Sequence, residues 1–429
     1  MPLQQLIQTK YFIIGNSAGG ISAAEAIRQI DRDGSIMVVS DEPYLAYSRP
    51  MISEYLAGRC PMENMLYRSV EFYTQKKINT ISGTAVRQID TVNHTATLED
   101  NRIISWQKIL LAMGGKPIIP TIKGSLDNGT FTFTSLEDAR TISRNLDNIS
   151  HVCVIGGGLI GVSVSEALIK RNKAVTIIEM KDWILNTILD NEASNMVSQV
   201  LQQAGVKIIT GRTAQEINRD AAGNISGVIL DNSVSIPCQM VIFAMGVKPR
   251  IELLSDTGIT LNRGIKVNRR METSTPDVYA CGDVAEVYDF VTDSSRVIPI
   301  WPNATMGGRI AGLNMAGQNH MFAGTTNMNS LKYFNLSVTS AGIVIPPDKS
   351  YETLVKQEDG CYRKIILKND IICGMIFYGD IEPSGIILHL MQKKIPVTGF
   401  KNKLMDKDFG LASLPEVIWR PMIRNITGA

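Results

Sequence analysis

The order of apolar runs and helical patterns in the middle of the chain predicts a strand–helix–strand unit. Four apolar residues, 152–155, are followed by a glycine-rich turn and then by a helical pattern that continues to about Lys170. A second apolar run, residues 174–178, closes the unit and is followed by an acidic residue. Short continuous apolar runs on both sides of a helix are typical of buried parallel strands. This stretch therefore predicts an α/β fold.

The same order of elements occurs about 140 residues earlier in the chain. An apolar strand is predicted at residues 11–14, a helix at residues 21–30 and a second strand at residues 36–39. Each of the two units has a glycine-rich segment between its first strand and its helix. The chain therefore contains two copies of one supersecondary unit.

The glycines of the second unit match the G-x-G-x-x-G dinucleotide fingerprint in its proper context. Gly156 allows the tight turn, Gly158 lets the backbone approach a pyrophosphate, and Gly161 lets the helix pack close to the strand. Leu159 and Ile160 lie between the last two glycines, at the start of the helix. The free N–H groups and the positive end of this helix are suited to hold phosphates.

Glu179, at the end of the second strand, determines which dinucleotide is expected. A carboxylate at this position accepts hydrogen bonds from a ribose 2′-OH and repels a 2′-phosphate, so NAD is predicted rather than NADP. Lys181 lies close enough to weaken this discrimination. The alternative is a glycine-rich turn in an unrelated α/β protein, but the flanking strands and the glutamate favour dinucleotide binding.

The first unit carries the same fingerprint with one departure. Gly15 and Gly20 occupy the outer positions, and Ser17, followed by Ala18, stands where the middle glycine is usual. A small residue there still permits a close approach of the ligand. Because the stronger copy follows, we interpret this segment as a second dinucleotide site.

Each fingerprint is followed by a small β region and then by an A-M-G-x-K-P tract. The tracts begin at Ala112 and Ala244, and their glycines are Gly114 and Gly246. Residues 84–108 alternate like a β-meander, and residues 211–238 form the matching part of the second copy. This repetition predicts two tandem or nested nucleotide-binding domains.

Two further features point to a flavin. Residues 272–283 form a turn and a short strand that ends in Gly282 and Asp283, and an aspartate there can accept hydrogen bonds from a polyol such as a ribityl chain. Trp301 opens a helical stretch to about Met315, whose N-terminus would stabilise negative charge on a reduced ring. Taken singly, Asp283 is more simply interpreted as a turn carboxylate and Trp301 as an ordinary core aromatic residue.

The pattern changes at about Met328, where a third, α+β domain is predicted. Strands are expected within residues 327–342 and 361–380, with a hairpin-like turn at residues 368–370, and a helix at residues 384–393. The segment carries no cofactor motif. The role of the tail, residues 401–429, cannot be read from its sequence.

The bulk composition excludes several classes of protein. The chain has 429 residues and a net charge of +2, which favours neither a nucleic acid nor a membrane surface as partner. No secretory signal or transmembrane segment is recognisable. The six cysteines are scattered and the four histidines are not paired, so neither a disulfide framework nor a metal site is expected. These features predict a soluble cytoplasmic protein.

The assembled motifs resemble those of the pyridine nucleotide-disulfide oxidoreductases, flavoproteins with two dinucleotide folds. The resemblance covers roughly residues 10–320 and rests on the two fingerprints, the A-M-G tracts and the T-P-D-V-Y-A-C-G-D stretch. The stretch D-E-P-Y-L-A-Y-S-R-P-M-I-S-E-Y-L-A-G, residues 41–58, and the N-M-N-S-L-K-Y-F segment are similar to the branch of NADH:rubredoxin oxidoreductases and of the flavin-binding part of nitrite reductases. The resemblance implies an FAD domain at residues 1–115 and 247–325, an inserted NAD(H) domain at 116–246, and a C-terminal α+β domain at 326–429.

The resemblance also assigns cofactor-binding residues. It implies that FAD is contacted by Gly15, Ser17, Ala18, Gly20, Ser40, Asp41, Arg49, Pro50, Val86, Ala112, Gly114, Gly282, Asp283 and Trp301. It implies that the NADH site is lined by Gly156, Gly158, Leu159, Ile160, Gly161, Glu179 and Gly246. No side-chain catalyst and no metal are expected, because the cofactors carry the chemistry.

Two departures from the family pattern affect the expected chemistry. Disulfide-reducing relatives carry a redox cysteine after the first unit, whereas residues 41–58 contain none and Cys60 lies beyond the usual position. Related reductases often carry a lysine and a glutamate that pair beside the flavin N5. Here these positions are Glu54 and Ser163, which alters the electrostatic surroundings expected for the flavin but not its binding.

The resemblance and its departures lead to one prediction of function and three alternatives. We expect hydride transfer from NADH to FAD, followed by single electrons passing to a small iron–sulfur protein of the rubredoxin or ferredoxin type. The protein is expected to be a monomer or a homodimer. Lys393, Lys394, Lys401 and Lys403 could form a docking face for an acidic partner, or simply a solvated surface. The alternatives are an NADH oxidase or coenzyme A-disulfide-type reductase, a non-catalytic NADH-sensing scaffold, and a subunit that requires a separate iron–sulfur partner.

Overall fold

The computed structural model describes residues 6–125 and 128–427, with side chains described up to residue 422. In chain order its strands are β1 (Leu6–Ile14), β2 (Ile36–Ser40), β3 (Ile78–Ser82), β4 (Val86–Asp90), β5 (Thr95–Leu98), β6 (Ile103–Leu111), β7 (Gly115–Pro117), β8 (Thr130–Thr132), β9 (His151–Ile155), β10 (Ala174–Ile178), β11 (Val206–Ile209), β12 (Ala214–Arg219), β13 (Ile225–Leu230), β14 (Ser235–Pro237), β15 (Met240–Phe243), β16 (Val247–Pro249), β17 (Ile265–Lys266), β18 (Val278–Ala280), β19 (Ala285–Asp289), β20 (Ser294–Val297), β21 (Met328–Tyr333), β22 (Leu336–Gly342), β23 (Glu352–Glu358), β24 (Cys361–Lys368) and β25 (Ile371–Tyr378). The α-helices are α1 (Ala18–Ile30), α2 (Ile52–Leu56), α3 (Val70–Gln75), α4 (Leu136–Arg144), α5 (Leu159–Lys170), α6 (Asn191–Gln203), α7 (Trp301–Met315), α8 (Ser384–Gln392) and α9 (Glu416–Thr427).

The first dinucleotide unit belongs to a sheet whose parallel part has the order β3-β2-β1-β6, with β18 on the far side of β6. On the side of β6 away from β1, β18 pairs with its last residues and β5 pairs antiparallel with its first half. Strand β5 in turn pairs with β4, which gives the predicted β-meander. Helix α7 packs closely on α1 because Gly308 and Gly312 face it. A Cβ at Gly308 would lie 2.1 Å from the Gly19 carbonyl oxygen.

The second unit forms a separate parallel sheet with the order β11-β10-β9-β15-β8. The antiparallel strands β12, β13 and β14 pack beside it, and share a core with its strands. Strands β7 and β16 pair antiparallel where the chain enters and leaves this part. The predicted domain boundaries stay a prediction.

The third part is a five-stranded antiparallel sheet, β21-β22-β25-β24-β23, with α8 packed against β25. The tail folds onto the same core: Phe409 and Leu414 are buried in it, and Trp419 packs against it. Arg363 of β24 donates hydrogen bonds to the backbone carbonyls of Asp406 and Lys407. Within the described residues, the tail therefore packs onto the core of the C-terminal sheet.

The three parts meet in one apolar cluster. Ile52 and Leu56 of α2, the helices α5 and α6, and the C-terminal residues Tyr333 and Tyr362 all contribute to it. The α+β domain is therefore packed directly against the second dinucleotide unit and against the segment after β2.

The start of one strand and the whole of another were not predicted, for the same physical reason. The strand β1 begins at Leu6, earlier than the expected residue 11, because its first half pairs with β6 although alternate positions are exposed. The strand β23 was not predicted, because its sequence is mostly polar and it lies at an exposed edge of the sheet. Neither segment contains the continuous apolar run that marks a buried parallel strand.

Candidate functional site: a cleft beside the first dinucleotide turn

The first glycine turn is shaped by contacts that exclude side chains. Gly15 has a φ of +117°, and a Cβ there would lie 2.2 Å from the Ala112 carbonyl oxygen. A Cβ at Gly20 would lie 1.9 Å from the Gly15 carbonyl oxygen. Helix α1 thus starts tightly against β1, and Ser17 occupies its N-cap without a side-chain cap hydrogen bond. The first N–H groups of the helix are not taken by that serine side chain and suit an anionic ligand.

The second glycine turn repeats this construction. Gly156 has a φ of +111°, and a Cβ there would lie 2.4 Å from the Ala244 carbonyl oxygen. A Cβ at Gly161 would lie 1.9 Å from the Gly156 carbonyl oxygen. Gly158 differs, since a Cβ there meets no atom within 4 Å. The two A-M-G tracts are therefore the partners against which the two turns pack, which explains why they recur together.

Glu179 is held against the second turn by backbone hydrogen bonds. Its carboxylate accepts one from Gly157 N–H at 2.7 Å and one from Lys181 N–H at 2.9 Å, and the residue is 8% exposed. Gly157, which lies inside the fingerprint, was not assigned a role from the sequence. A side chain there would crowd the glutamate, because its Cβ would lie 3.2 Å from a carboxylate oxygen.

A cleft of about 570 Å³ opens beside the first turn and collects most of the predicted flavin residues. The predicted residues that line it are Gly15, Ser17, Ala18, Ser40, Asp41, Arg49, Pro50, Val86, Ala112, Gly114, Gly282, Asp283 and Trp301. Gly20 does not line it and instead supports the turn. Of the residues predicted for NADH, Ile160 lines the same cleft. The cleft thus joins the first dinucleotide turn to the start of α5.

A polar network that the sequence did not reveal surrounds Arg49. Its guanidinium forms an ion pair with Glu42 and donates to the Thr134 carbonyl at 2.9 Å. The Tyr47 hydroxyl donates to Glu42 at 2.6 Å and accepts from Leu136 N–H at 2.9 Å. These contacts fix the arginine at the wall of the cleft. Glu42 and Tyr47 lie in the stretch that carried the resemblance, whereas Thr134 is remote in sequence.

Asp283 lies in the cleft as a largely desolvated carboxyl group. Burial raises its pKa to about 6, and the positive charge of Arg49 works against this rise. Because the ionised Asp283 carboxylate has lost most of its contact with water, hydrogen bonds from ligand hydroxyls would stabilise it. Helix α7 begins beside it at Trp301, has no acidic residue in its first turn, and directs its positive end into the cleft.

The residues present fit the binding of FAD. Asn16 lines the cleft and accepts a hydrogen bond from the Tyr73 hydroxyl at 2.9 Å, while its buried amide nitrogen has no partner among the described residues. An unused amide donor beside an uncapped helix N-terminus suits the acceptor oxygens of a pyrophosphate. Asp41, which the resemblance assigns to FAD, forms an ion pair with Arg250 at 2.6 Å. That pair was not predicted, because the two residues are 209 positions apart.

The cysteines near the cleft are not suited to thiol chemistry. Cys281 lines the cleft but is fully buried, and burial raises its pKa to about 12, so the thiol keeps its proton. Cys60 is half-buried, does not line the cleft, and its sulfur lies 3.5 Å from the Pro61 carbonyl oxygen. Neither residue is placed as a redox thiolate.

Glu54 and Ser163, the two residues that depart from the family pattern, each contact a different residue. Glu54 forms an ion pair with Arg59 at 2.7 Å, on the surface. Ser163 instead shares a hydrogen bond of 3.0 Å with the hydroxyl of Tyr333, from the C-terminal domain. Glu54 and Ser163 therefore do not form a pair with each other.

Of the lysines considered as a docking face, Lys401 is already neutralised. It pairs with Glu352 at 2.9 Å and with Asp370 at 3.0 Å, whereas Lys393, Lys394 and Lys403 are exposed. The expected four-lysine face is therefore reduced to three residues. Within the described parts of the chain, no helix is long and apolar enough to span a bilayer.

Comparisons with known proteins identify two family models along the chain. The model described as pyridine nucleotide-disulphide oxidoreductase matches residues 9–308, and the model described as the rubredoxin NAD+ reductase C-terminal domain matches residues 328–395. The first match covers more than half of the chain, and the second falls in the C-terminal sheet and α8.

Individual relatives match at moderate identity over nearly the whole chain. The epsilon subunit of an NADH-dependent phenylglyoxylate dehydrogenase from Aromatoleum evansii is 29% identical over 401 residues, which are 92% of this chain and 94% of that one. An NADH-rubredoxin oxidoreductase from Clostridium acetobutylicum is 30% identical over 374 residues, 87% of this chain and 92% of that one. The crystal structure of NADH:rubredoxin oxidoreductase from Clostridium acetobutylicum matches with a TM-score of 0.75 and 27% identity, covering 92% of this chain and 97% of that one. The chain spans about half the length, 47% and 51%, of two other curated relatives it matches.

Proposed function

The chain belongs to the pyridine nucleotide-disulphide oxidoreductase family, and we propose that it passes electrons from NADH through FAD to a small iron–sulfur protein. It is a flavin-dependent NADH oxidoreductase whose cofactors are FAD and NADH. The observation that carries the proposal is the cleft in which the first dinucleotide turn meets Ile160 of α5, and in which the thiol of Cys281 is buried and its pKa is raised. A buried, protonated thiol is not suited to disulfide exchange, so we expect the electrons to pass between the cofactors.

In this proposal the cleft residues hold FAD from its pyrophosphate to its ring. The N–H groups at the start of α1 and the free amide of Asn16 bind the pyrophosphate, and Ser40 and Asp41 bind the adenosine ribose. Asp283 accepts hydrogen bonds from the ribityl chain. The start of α7, at Trp301, directs its positive dipole end into the cleft and would stabilise negative charge on a bound flavin ring.

The second turn holds NADH by the same physical means. The backbone at Gly158 and the N–H groups of α5 face the pyrophosphate, and Glu179 accepts hydrogen bonds from the ribose. Because the Glu179 carboxylate is already fixed by two backbone N–H groups, it is rigid and would meet a 2′-phosphate with its negative charge. The enzyme therefore prefers NADH to NADPH.

Bound in the cleft, FAD would supply the chemistry of hydride acceptance from NADH and of one-electron release. The protein contributes orientation and electrostatics and needs no side-chain acid or base for this transfer. Ile160 and Ile52 provide apolar side chains in the wall of the cleft. Arg49, fixed by Glu42 and Thr134, provides the positive charge on the cleft wall.

The C-terminal domain supports an iron–sulfur protein as the acceptor. Its match to a rubredoxin reductase domain and the NADH-rubredoxin oxidoreductase relative point to this class of partner. One NADH would reduce two molecules of a one-electron acceptor. The exposed residues Lys393, Lys394 and Lys403 provide positive charge that could steer an acidic partner. A cytoplasmic location and a monomeric or dimeric state belong to the same proposal.

The test supplies the FAD-loaded protein and NADH with rubredoxin, a [2Fe–2S] ferredoxin, oxygen or coenzyme A disulfide. We expect an iron–sulfur protein to be reduced faster than oxygen or the disulfide, and NADPH to replace NADH poorly. Faster reduction of oxygen or of the disulfide would favour the oxidase or disulfide-reductase alternative. A protein whose flavin is reduced but which turns over with no acceptor would favour the NADH-sensing scaffold.

A second candidate is a flavoprotein subunit of a larger dehydrogenase. The A. evansii relative, which matches along nearly the whole of both chains, is the epsilon subunit of such an enzyme. In this case the iron–sulfur acceptor is a permanent partner chain. Purification of the tagged chain from its native cells, followed by iron and acid-labile sulfide analysis, distinguishes the two: stoichiometric iron–sulfur partners support the subunit, and an isolated flavoprotein argues against it.

A further inference from the structure

The tip of one hairpin of the C-terminal domain is bound to α5. Strands β21 and β22 are joined by Phe334 and Asn335, both with positive φ, so that Tyr333 is the last residue of β21. The N–H of Phe334 donates to Glu166 of α5 at 3.1 Å, and Glu166 also accepts from Lys170 at 2.6 Å. The hairpin is therefore fixed to one face of α5 by a buried carboxylate.

Tyr333 extends this attachment to the first turn of the helix. Its hydroxyl lies 3.0 Å from Ser163 Oγ and donates to the Leu159 carbonyl oxygen at 3.5 Å. Only 6% of the residue is exposed, and burial raises its pKa to about 12, so the hydroxyl keeps its proton. A buried hydroxyl requires such partners, and here all of them lie on α5.

These contacts adjoin the residues that form the cleft. Leu159 immediately precedes Ile160, which lines the cleft, and follows Gly158 of the second turn. The ring of Tyr333 belongs to the same apolar cluster as Ile52, which also lines the cleft. Tyr333 thus contacts the helix that joins the proposed NADH site to the cleft.

We propose that Tyr333 is a positioning residue that holds the first turn of α5 in register with the cleft, so that the C-terminal domain takes part in NADH binding and hydride transfer. The inference rests on the proposed NADH site. Loss of either hydroxyl breaks the Tyr333–Ser163 hydrogen bond, so that the start of α5 loses an attachment to the C-terminal domain. The first turn of α5 would then shift, and Ile160 with it.

A matched control comes from the same pair of domains. The Tyr362 hydroxyl donates to Asp190 at 2.6 Å, and Asp190 is the N-cap of α6. Tyr362→Phe therefore removes a buried interdomain hydroxyl as Tyr333→Phe does, but at a helix that does not line the cleft. Effects that both variants share are due to the loss of an interdomain contact. Effects seen only in Tyr333→Phe are due to a change at the start of α5.

The experiment compares FAD-loaded wild type, Tyr333→Phe, Ser163→Ala, the double variant, Ser163→Thr and Tyr362→Phe. The readouts are the anaerobic rate of flavin reduction at saturating NADH, the dissociation constant of NAD+, and amide hydrogen exchange of residues 159–163. We expect Tyr333→Phe and Ser163→Ala each to slow reduction about 3- to 10-fold and to speed exchange in α5. We expect the double variant to add little, and Ser163→Thr to retain wild-type behaviour.

Equal behaviour of Tyr333→Phe and Tyr362→Phe in all three readouts would overturn the inference. Additive effects of Tyr333→Phe and Ser163→Ala would also overturn it, because the two residues would then act separately. A wild-type protein whose flavin is not reduced by NADH would contradict the proposed function instead, so the two failures are distinguishable.

Discussion

Replacing Gly158 with alanine is expected to separate dinucleotide binding from folding. The new Cβ meets no atom within 4 Å, and the φ of −77° is one that alanine adopts readily. A glycine-to-alanine change at such a position stabilises a protein by about 0.4–1 kcal/mol through the unfolded chain. Alanine is a poorer N-cap residue than glycine, and this destabilises the helix by a similar amount, which offsets the gain. We therefore expect the unfolding temperature to change by less than about 2 °C.

The same methyl group occupies the space through which a pyrophosphate would approach the helix. Each hydrogen bond between a backbone N–H and a charged phosphate contributes about 1.5–3 kcal/mol. Loss of one such bond weakens NADH binding by about 10- to 150-fold, since 1.4 kcal/mol is a factor of ten. The limiting rate of flavin reduction at saturating NADH should change less than the affinity, because the methyl group lies away from the reacting atoms.

The assay measures the NADH dissociation constant by titration and the reduction rate by anaerobic stopped-flow absorbance, with the unfolding temperature of each variant. Gly385→Ala on α8 is the control, because its Cβ also meets no atom within 4 Å and its site lies outside the cleft. Gly161→Ala is the contrast, since its Cβ would lie 1.9 Å from a carbonyl oxygen, and it should lose both stability and NADH binding. A Gly158→Ala variant with wild-type stability and wild-type NADH affinity would refute the reasoning.

Three further changes test other parts of the site. Glu179→Ala should weaken NADH use by about 10-fold or more and NADPH use far less, as measured by kcat/KM for both; equal losses would contradict the assigned preference. Asp283→Asn should stabilise the FAD-free protein above about pH 6 but not below about pH 4. The reason is that burial raises the carboxyl pKa to about 6 in the folded chain, so wild-type stability falls as pH rises between these values. The same change should weaken FAD binding about 5-fold, because a neutral hydrogen-bond acceptor replaces a charged one. Thermal unfolding measures the expected gain in stability, and a flavin-fluorescence titration measures the expected loss of FAD affinity. Cys60→Ser should leave the stoichiometry of flavin reduction by NADH unchanged, and a change would show that this thiol takes part.

The sequence predicted the fold best where strands are buried on both sides. The strand β10 and the helix α7 have the predicted bounds, because a continuous apolar run and a helical stretch mark them clearly. The family resemblance and the fold class are confirmed. The half-exposed start of β1 and the polar edge strand β23 were missed, because pairing with a neighbouring strand, rather than local hydrophobicity, creates them.

The site was predictable in its local motifs and not in its long-range pairs. The two glycine turns, Asp283 and Trp301 were identified from neighbouring residues, and their cofactor contacts stay a prediction. The A-M-G repetition was visible in the sequence, but its cause, the packing of two alanine carbonyls against Gly15 and Gly156, required the structure. The pairs Asp41–Arg250 and Ser163–Tyr333 join segments that are far apart in the chain, and no local pattern signals them.

The most direct test of the central claim is an anaerobic titration of the FAD-loaded protein with NADH, followed by the visible flavin spectrum. We predict full bleaching by about one equivalent of NADH, without the long-wavelength band that a thiolate beside a flavin produces, because the chemistry resides in the cofactors. Uptake of a second equivalent together with such a band would contradict the account, since it would show a redox-active cysteine in the cleft.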